Sequence, residues 1–161
     1  MATLLQQLER AKKLSPEKIE QEIFNYIKKI ENVFFDLNIR RLEDSEDSKG
    51  GLLTNKNSKY SGVYTKQTEE IARTENPLAP KIEGEPYNFL YGGDFLKGFE
   101  MFVKTGSVEI FSTGTGSGDK KDFFDGYTDL FNQKDEDLKM VIQERILPFL
   151  QNNIIRKGLG I

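Results

Sequence analysis

Residues 87–111, YNFLYGGDFLKGFEMFVKTGSVEIF, are the most apolar and aromatic window in an otherwise polar chain. Whatever fold forms has to bury this stretch. It reads as a short strand, a Gly92-Gly93 turn, one or two helical turns, and then a β-hairpin. The two glycines supply backbone freedom where the chain reverses. Asp94 is placed to cap the following turn, and Phe95 and Phe99, four apart, share a helical face. Met101 and Val103 alternate with Phe102 and Lys104, and Val108 and Ile110 with Glu109 and Phe111. That is strand periodicity on both sides of a turn at Thr105-Gly106-Ser107. The expected core is Phe95, Phe99, Phe102 or Met101, Val108 and Ile110, packed with Ile27, Phe34, Val141 and Ile142.

Helices are expected on either side. Leu4, Leu5, Leu8 and Ala11 are spaced for one face of a short first helix over residues 3–12. Ser15 is a natural N-cap and Pro16 fits the first helical position, where no donor is lost. Ile19, Ile23, Ile27, Ile30, Phe34 and Leu37 then follow at steps of four and three. This predicts one long amphipathic helix to about Leu42. Its start is acidic and its end, at Arg40 and Arg41, basic, as the helix dipole prefers. The stripe fits core packing or a docking face for a partner helix. A last helix begins near Lys134 and carries Leu138, Val141, Ile142, Ile146, Phe149, Leu150 and Ile154. Pro148 is expected to bend it, and Gly158 and Gly160 to end it in a free tail.

Between the helices the chain is irregular. Glu43 to Gly51 is an acidic loop without the alternating ligands of an EF-hand. Residues 59–65 are a weak strand candidate, and residues 66–73 a helical turn or two. Residues 75–86 hold three of the five prolines and predict an extended loop, a common setting for binding or assembly. Residues 122–131 should pack as aromatic-rich turns against the hairpin.

The chemical inventory is sparse. The 161 residues contain no Cys and no His. Disulfides, thiolate or imidazole metal sites and the usual catalytic triads are therefore excluded. The glycines at 114, 116 and 118 follow a strand, but match neither a P-loop nor G-x-G-x-x-G. Asp119, Asp122, Asp125 and Asp129 have helical spacing without an identifiable cleft. The net charge is −3, and the excess of two basic residues over positions 1–42 makes no basic stripe, which argues against a dedicated nucleic-acid binder. No stretch has membrane-spanning length or a signal-peptide pattern. The expectation is no catalytic residues, no cofactor, no metal and no membrane partner, in an α+β chain. A short arm or helix (1–14) precedes a single domain (15–155) and a tail (156–161).

The order of pieces resembles small minor structural proteins of tailed bacteriophages, of the virion-morphogenesis or tail-completion kind. The residues that carry this are Gly62-Val63-Tyr64-Thr65, Phe89 through Phe95 with Phe99, Ile110-Phe111-Ser112-Thr113, Gly126 before Leu130-Phe131, and Ile146-Leu147-Pro148. Gly92 stands where such proteins usually have Thr, and their Tyr-Gly appears here as Asp125-Gly126-Tyr127. The resemblance spans roughly residues 15–155. It implies a non-enzymatic subunit of the virion neck, connector ring or tail-completion machinery. Its expected partners are copies of itself in a ring, portal or connector proteins and tail proteins. DNA is expected to pass through the channel without specific binding. Synthesis is expected in the bacterial host cytoplasm. The rival readings are a small soluble adaptor or inhibitor, acting through the Pro-rich loop, and a nucleotide-using or hydrolytic enzyme.

Overall fold

The hairpin forms with the expected alternation, but Ser107, expected in the turn, already belongs to the second strand and pairs with Lys104. In the computed structural model, which describes residues 3–57, 60–89, 94–104, 106–114, 123–127 and 129–160, β1 (Phe99–Lys104) pairs antiparallel with β2 (Ser107–Ser112). Phe99, Met101 and Val103 face inward with Val108, Ile110 and Ser112. Phe102 and Phe111 face outward, opposite Glu109 and Glu100. Phe102 is thus exposed and Met101 takes the buried position. Before the hairpin, α5 (Asp94–Lys97) ends short of Phe99, so Phe95 and Phe99 meet across a helix-to-strand junction. Their rings still sit edge-to-face at 5.5 Å. Gly98 makes the junction possible. A Cβ there would lie 2.5 Å from the backbone nitrogen of Gly114, and Thr113 N–H donates to Gly98 C=O at 2.9 Å. No strand forms at Tyr87. The chain only bridges Val63 to Pro86, and Phe89 takes a positive φ that turns its ring among its aromatic neighbours. Residues 90–93, the Gly-Gly turn included, lie outside the described residues, as does Thr105.

The predicted single long helix is two. α2 (Pro16–Lys29) starts as expected, with Ser15 Oγ accepting from Lys18 N–H at 3.3 Å. It stops at Ile30, and α3 (Glu31–Glu43) restarts one residue later. No Gly or Pro marks the break. Ile30 keeps its own N–H bonded to carbonyls behind it, at φ −103° and ψ 19°. The stripe divides between two cores, and α3 contributes to both. Ile27 and Phe34 pack with Met101 and Val141 in one cluster. Leu42 packs with Leu53, Phe95, Leu96, Phe99, Tyr127 and Leu130 in the other, and Phe35 lies against both.

α4 (Lys66–Glu75) is capped by Thr65, whose Oγ1 accepts from Thr68 N–H at 3.2 Å. α6 (Asp135–Val141) runs directly into a π-helical turn (Ile142–Ile146), an α-helical turn (Leu147–Phe149), a second π-helical segment (Leu150–Arg156) and a final α-helical turn (Lys157–Leu159). Pro148 neither ends nor sharply breaks this rod. Its ring would press on the carbonyl four residues back in a regular α-helix. The wider turn just before it, in which Leu147 N–H donates to Ile142 C=O, relieves that contact. The same widening resets the buried face. Val141 and Ile146 lie on the packed side five residues apart, whereas Ile142, expected in the core, is exposed. Tyr26 of α2 stacks on Phe149 of the rod at 4.0 Å, and Lys28 Nζ donates to Met101 C=O at 2.9 Å. The architecture is α+β: helices at both ends around one two-stranded hairpin.

The chain ends also depart from expectation. Residues 156–159 are helical, not a free tail. α1 (Leu4–Ala11) packs against this last turn. Arg10 Nη1 donates to Leu159 C=O at 3.2 Å. A Cβ on Gly158 would come within 2.8 Å of Leu14 Cδ2, so a larger residue there would have to displace the Leu14 side chain.

Candidate functional site

The residue types that carry most chemistry are spent on holding the chain together. Asp129 Oδ2 accepts from Ser48 N–H, and its other oxygen from Asn132. Burial works against its charge, yet these donors and Arg41, 4.0 Å away, hold its carboxyl below the usual range. Asp125 is exposed and does not join it. Asp119 and Asp122 lie outside the described residues, as do Gly116 and Gly118 of the Gly-rich loop and Lys120 and Lys121 beyond it. In the acidic loop, Asp47 Oδ1 accepts from Lys49 and Gly51 N–H at 2.8 and 2.7 Å, closing the turn on itself. Glu46 pairs with Lys134. Among the described residues, no group of three or more acidic side chains is arranged to hold a metal. An open depression of about 370 Å³ lies between Asp47, Ser48, Lys49, Leu52, Asp129 and Asn132, and in it Asp129 is occupied by its bonds to Ser48 and Asn132.

Arg41 is the centre of the internal polar network. Its guanidinium donates to Asn38 Oδ1 at 3.0 Å, to the carbonyls of Asp129 and Leu130 at 2.8 Å each, and to Glu46 C=O. Burial draws its pKa down, and the carboxylates of Asp129, Asp47 and Glu46 oppose that. Sequence reasoning treated Arg41 as a dipole partner at a helix end. Its acceptors on 129–130 are 88 and 89 residues away and leave no local pattern.

Large apolar side chains stand exposed on several elements, most fully on α1 and in the Pro-rich loop. Leu4, Leu5 and Leu8 on α1 are 75%, 71% and 54% exposed, and no residue of that helix is buried. Leu78, in the Pro-rich loop, is 95% exposed, with Ile82 and Ile71 exposed near it in sequence. The loop, expected from sequence only to be extended, is tied down at several points. Tyr64 N–H donates to Glu85 C=O at 2.8 Å, Gly84 N–H to Tyr64 C=O at 2.9 Å, and Glu83 N–H to Glu69 Oε2 at 2.8 Å. Lys81 is turned inward, buried at 4% exposure, with its ammonium 5.0 Å above the Tyr64 ring and donating to Asn88 Oδ1. Tyr64 OH donates to the same oxygen at 2.8 Å and accepts from Asn88 N–H at 2.9 Å. The loop is pinned from inside, and the pin holds Leu78 and Ile82 out in water.

Burial pushes Lys81 down to about 8 and Tyr64 up to about 12. Burial raises Tyr127 as well. The signs oppose each other. Between about pH 8 and 10.5 the unfolded chain holds a proton on Lys81 that the folded chain has released, so stability rises with pH there. Above about pH 10 unfolded tyrosines ionise first, and the folded chain loses the contribution of Tyr64 and Tyr127. Thermal melts from pH 7 to 11.5 should therefore show a maximum near pH 10. Lys81→Met should remove the rising limb and keep the fall.

No family model, no curated protein and no solved structure matches this chain.

Proposed function

We propose that this chain is a structural subunit of a tailed-phage virion, a neck, connector-ring or tail-completion protein at the head–tail joint, acting by oligomeric assembly. The observation that carries the assembly reading is the display of large apolar side chains on ordered elements: Leu4, Leu5 and Leu8 on α1, and Leu78 and Ile82 on a pinned loop. Exposed leucines in such rows cost solvation that a neighbour relieves. The phage context rests on the resemblance set out above, across residues 15–155. A net charge of −3 fits a channel through which DNA slides without being gripped. The partners on this reading are further copies of the chain, portal or connector proteins, and tail proteins.

The test is a deletion of the gene in the phage or prophage that encodes it, with mass spectrometry of purified wild-type particles. The expected result is that wild-type virions contain the protein, and that the deletion yields separate filled heads and finished tails. Joined, infectious particles without it would overturn this reading and favour the soluble adaptor or inhibitor.

A further inference from the structure

We infer that α1 of one copy docks on the 66–86 face of a second copy of this chain, in a head-to-tail contact. The inference rests on the assembly reading above and names the surfaces it would use. An isolated helix of eight residues is too short to persist in water on propensity alone. α1 has a capping box, in which Thr3 and Gln6 satisfy each other, but its attachment to the rest of the chain is at its far end, through Arg10 to Leu159 and Leu14 to Gly158. Its leucine row is left in water. Residues 66–86 offer exposed apolar side chains of their own, Ile71 at 42%, Leu78 at 95% and Ile82 at 50% exposure, on a loop held to α4 by the bond from Glu83 N–H to Glu69.

Charge chooses the pairing. After its leucines the α1 segment carries Glu9 against Arg10, Lys12 and Lys13, an excess of two positive charges. Residues 66–86 carry Glu69, Glu70, Glu75, Glu83 and Glu85 against Lys66, Arg73 and Lys81, an excess of two negative charges. Because Lys81 is buried, the exposed part of this face is more acidic still. Pairing each face with itself would set basic against basic and acidic against acidic. The crossed pairing sets apolar row on apolar row and opposite charges beside each other. Two different patches in contact make the interface heterologous, so it repeats from copy to copy and closes as a ring when the rotation permits.

The test uses the full chain and sedimentation velocity at low and high salt. The variants are Lys12→Glu with Lys13→Glu, Glu83→Lys with Glu85→Lys, all four together, and Leu78→Gln alone. All these side chains are exposed, so melting temperatures should stay at the wild-type value. Each double variant should weaken self-association about tenfold or more, as should Leu78→Gln, and the quadruple variant should recover most of it. High salt should weaken the wild type and leave Leu78→Gln unchanged relative to it. A quadruple variant as weak as the doubles overturns the pairing. Variants that assemble like the wild type overturn this contact while leaving the ring reading standing. A wild type that stays monomeric at every concentration and salt overturns both.

Discussion

Arg41→Met is expected to destabilise the protein by about 3–5 kcal/mol and to lower the melting temperature by about 10 °C or more. The usual argument about buried ions runs the other way. Replacing a buried ion pair by an apolar side chain of similar volume is often neutral, because the charges had been costly to desolvate. Here most acceptors of the guanidinium are backbone carbonyls, of Glu46, Asp129 and Leu130, and they cannot be removed with it. Methionine would fill the space and leave three carbonyls and the Asn38 amide oxygen without this donor, and would take from the Asp129 carboxylate the cation 4.0 Å away. Each unmet buried acceptor costs about 1–3 kcal/mol before relaxation. Arg41→Lys should fall between the two, since it keeps the charge and loses the fork. Chemical denaturation of the three proteins measures this. A midpoint for Arg41→Met within error of the wild type would mean that 129–130 is held by something else.

Phe99→Ala is expected to cost about 3–5 kcal/mol. Phe99 is 7% exposed, and its ring lies 5.5 to 6.0 Å from those of Phe95, Phe35 and Phe131. These neighbours come from α5, α3 and the segment before α6, so no single movement closes the hole. The control is on the same strand. Phe102 points outward at 53% exposure, beneath the Lys104 ammonium, and Phe102→Ala should change stability by about 0.5 kcal/mol or less. Equal losses for the two variants would show that the strand does not present alternate faces to core and water.

Residues 15–16 and 99–112 show how much of this fold is legible in order along the chain. Ser15 and Pro16 announce a helix start through chemistry confined to one turn. The hairpin's inner and outer faces follow from alternation alone. The break at Ile30 was illegible because the apolar stripe runs straight through it. Nothing local to Ile30 marks it, and Ile27 and Phe34 on either side of it pack in the same cluster. The C-terminal rod was half legible. Pro148 signals a distortion, but not whether the helix stops, kinks or widens as it does at Ile142–Ile146. Of the candidate surface, the leucines of α1 and the Pro-rich loop were visible as uncommitted apolar residues. The rigidity of that loop was not, since Lys81 looks like a surface lysine until Tyr64 and Asn88 are brought around it. Arg41 was hidden for the same reason.

The claim that this chain works as an assembling subunit is tested most directly by native mass spectrometry of the full-length protein, alone and with portal and tail proteins. The account predicts a discrete multiple of the 18.5 kDa chain, seen as a ring in electron micrographs, that dissociates when Leu78 is replaced by Gln. A protein that stays at 18.5 kDa at every concentration, with those partners present, would contradict it.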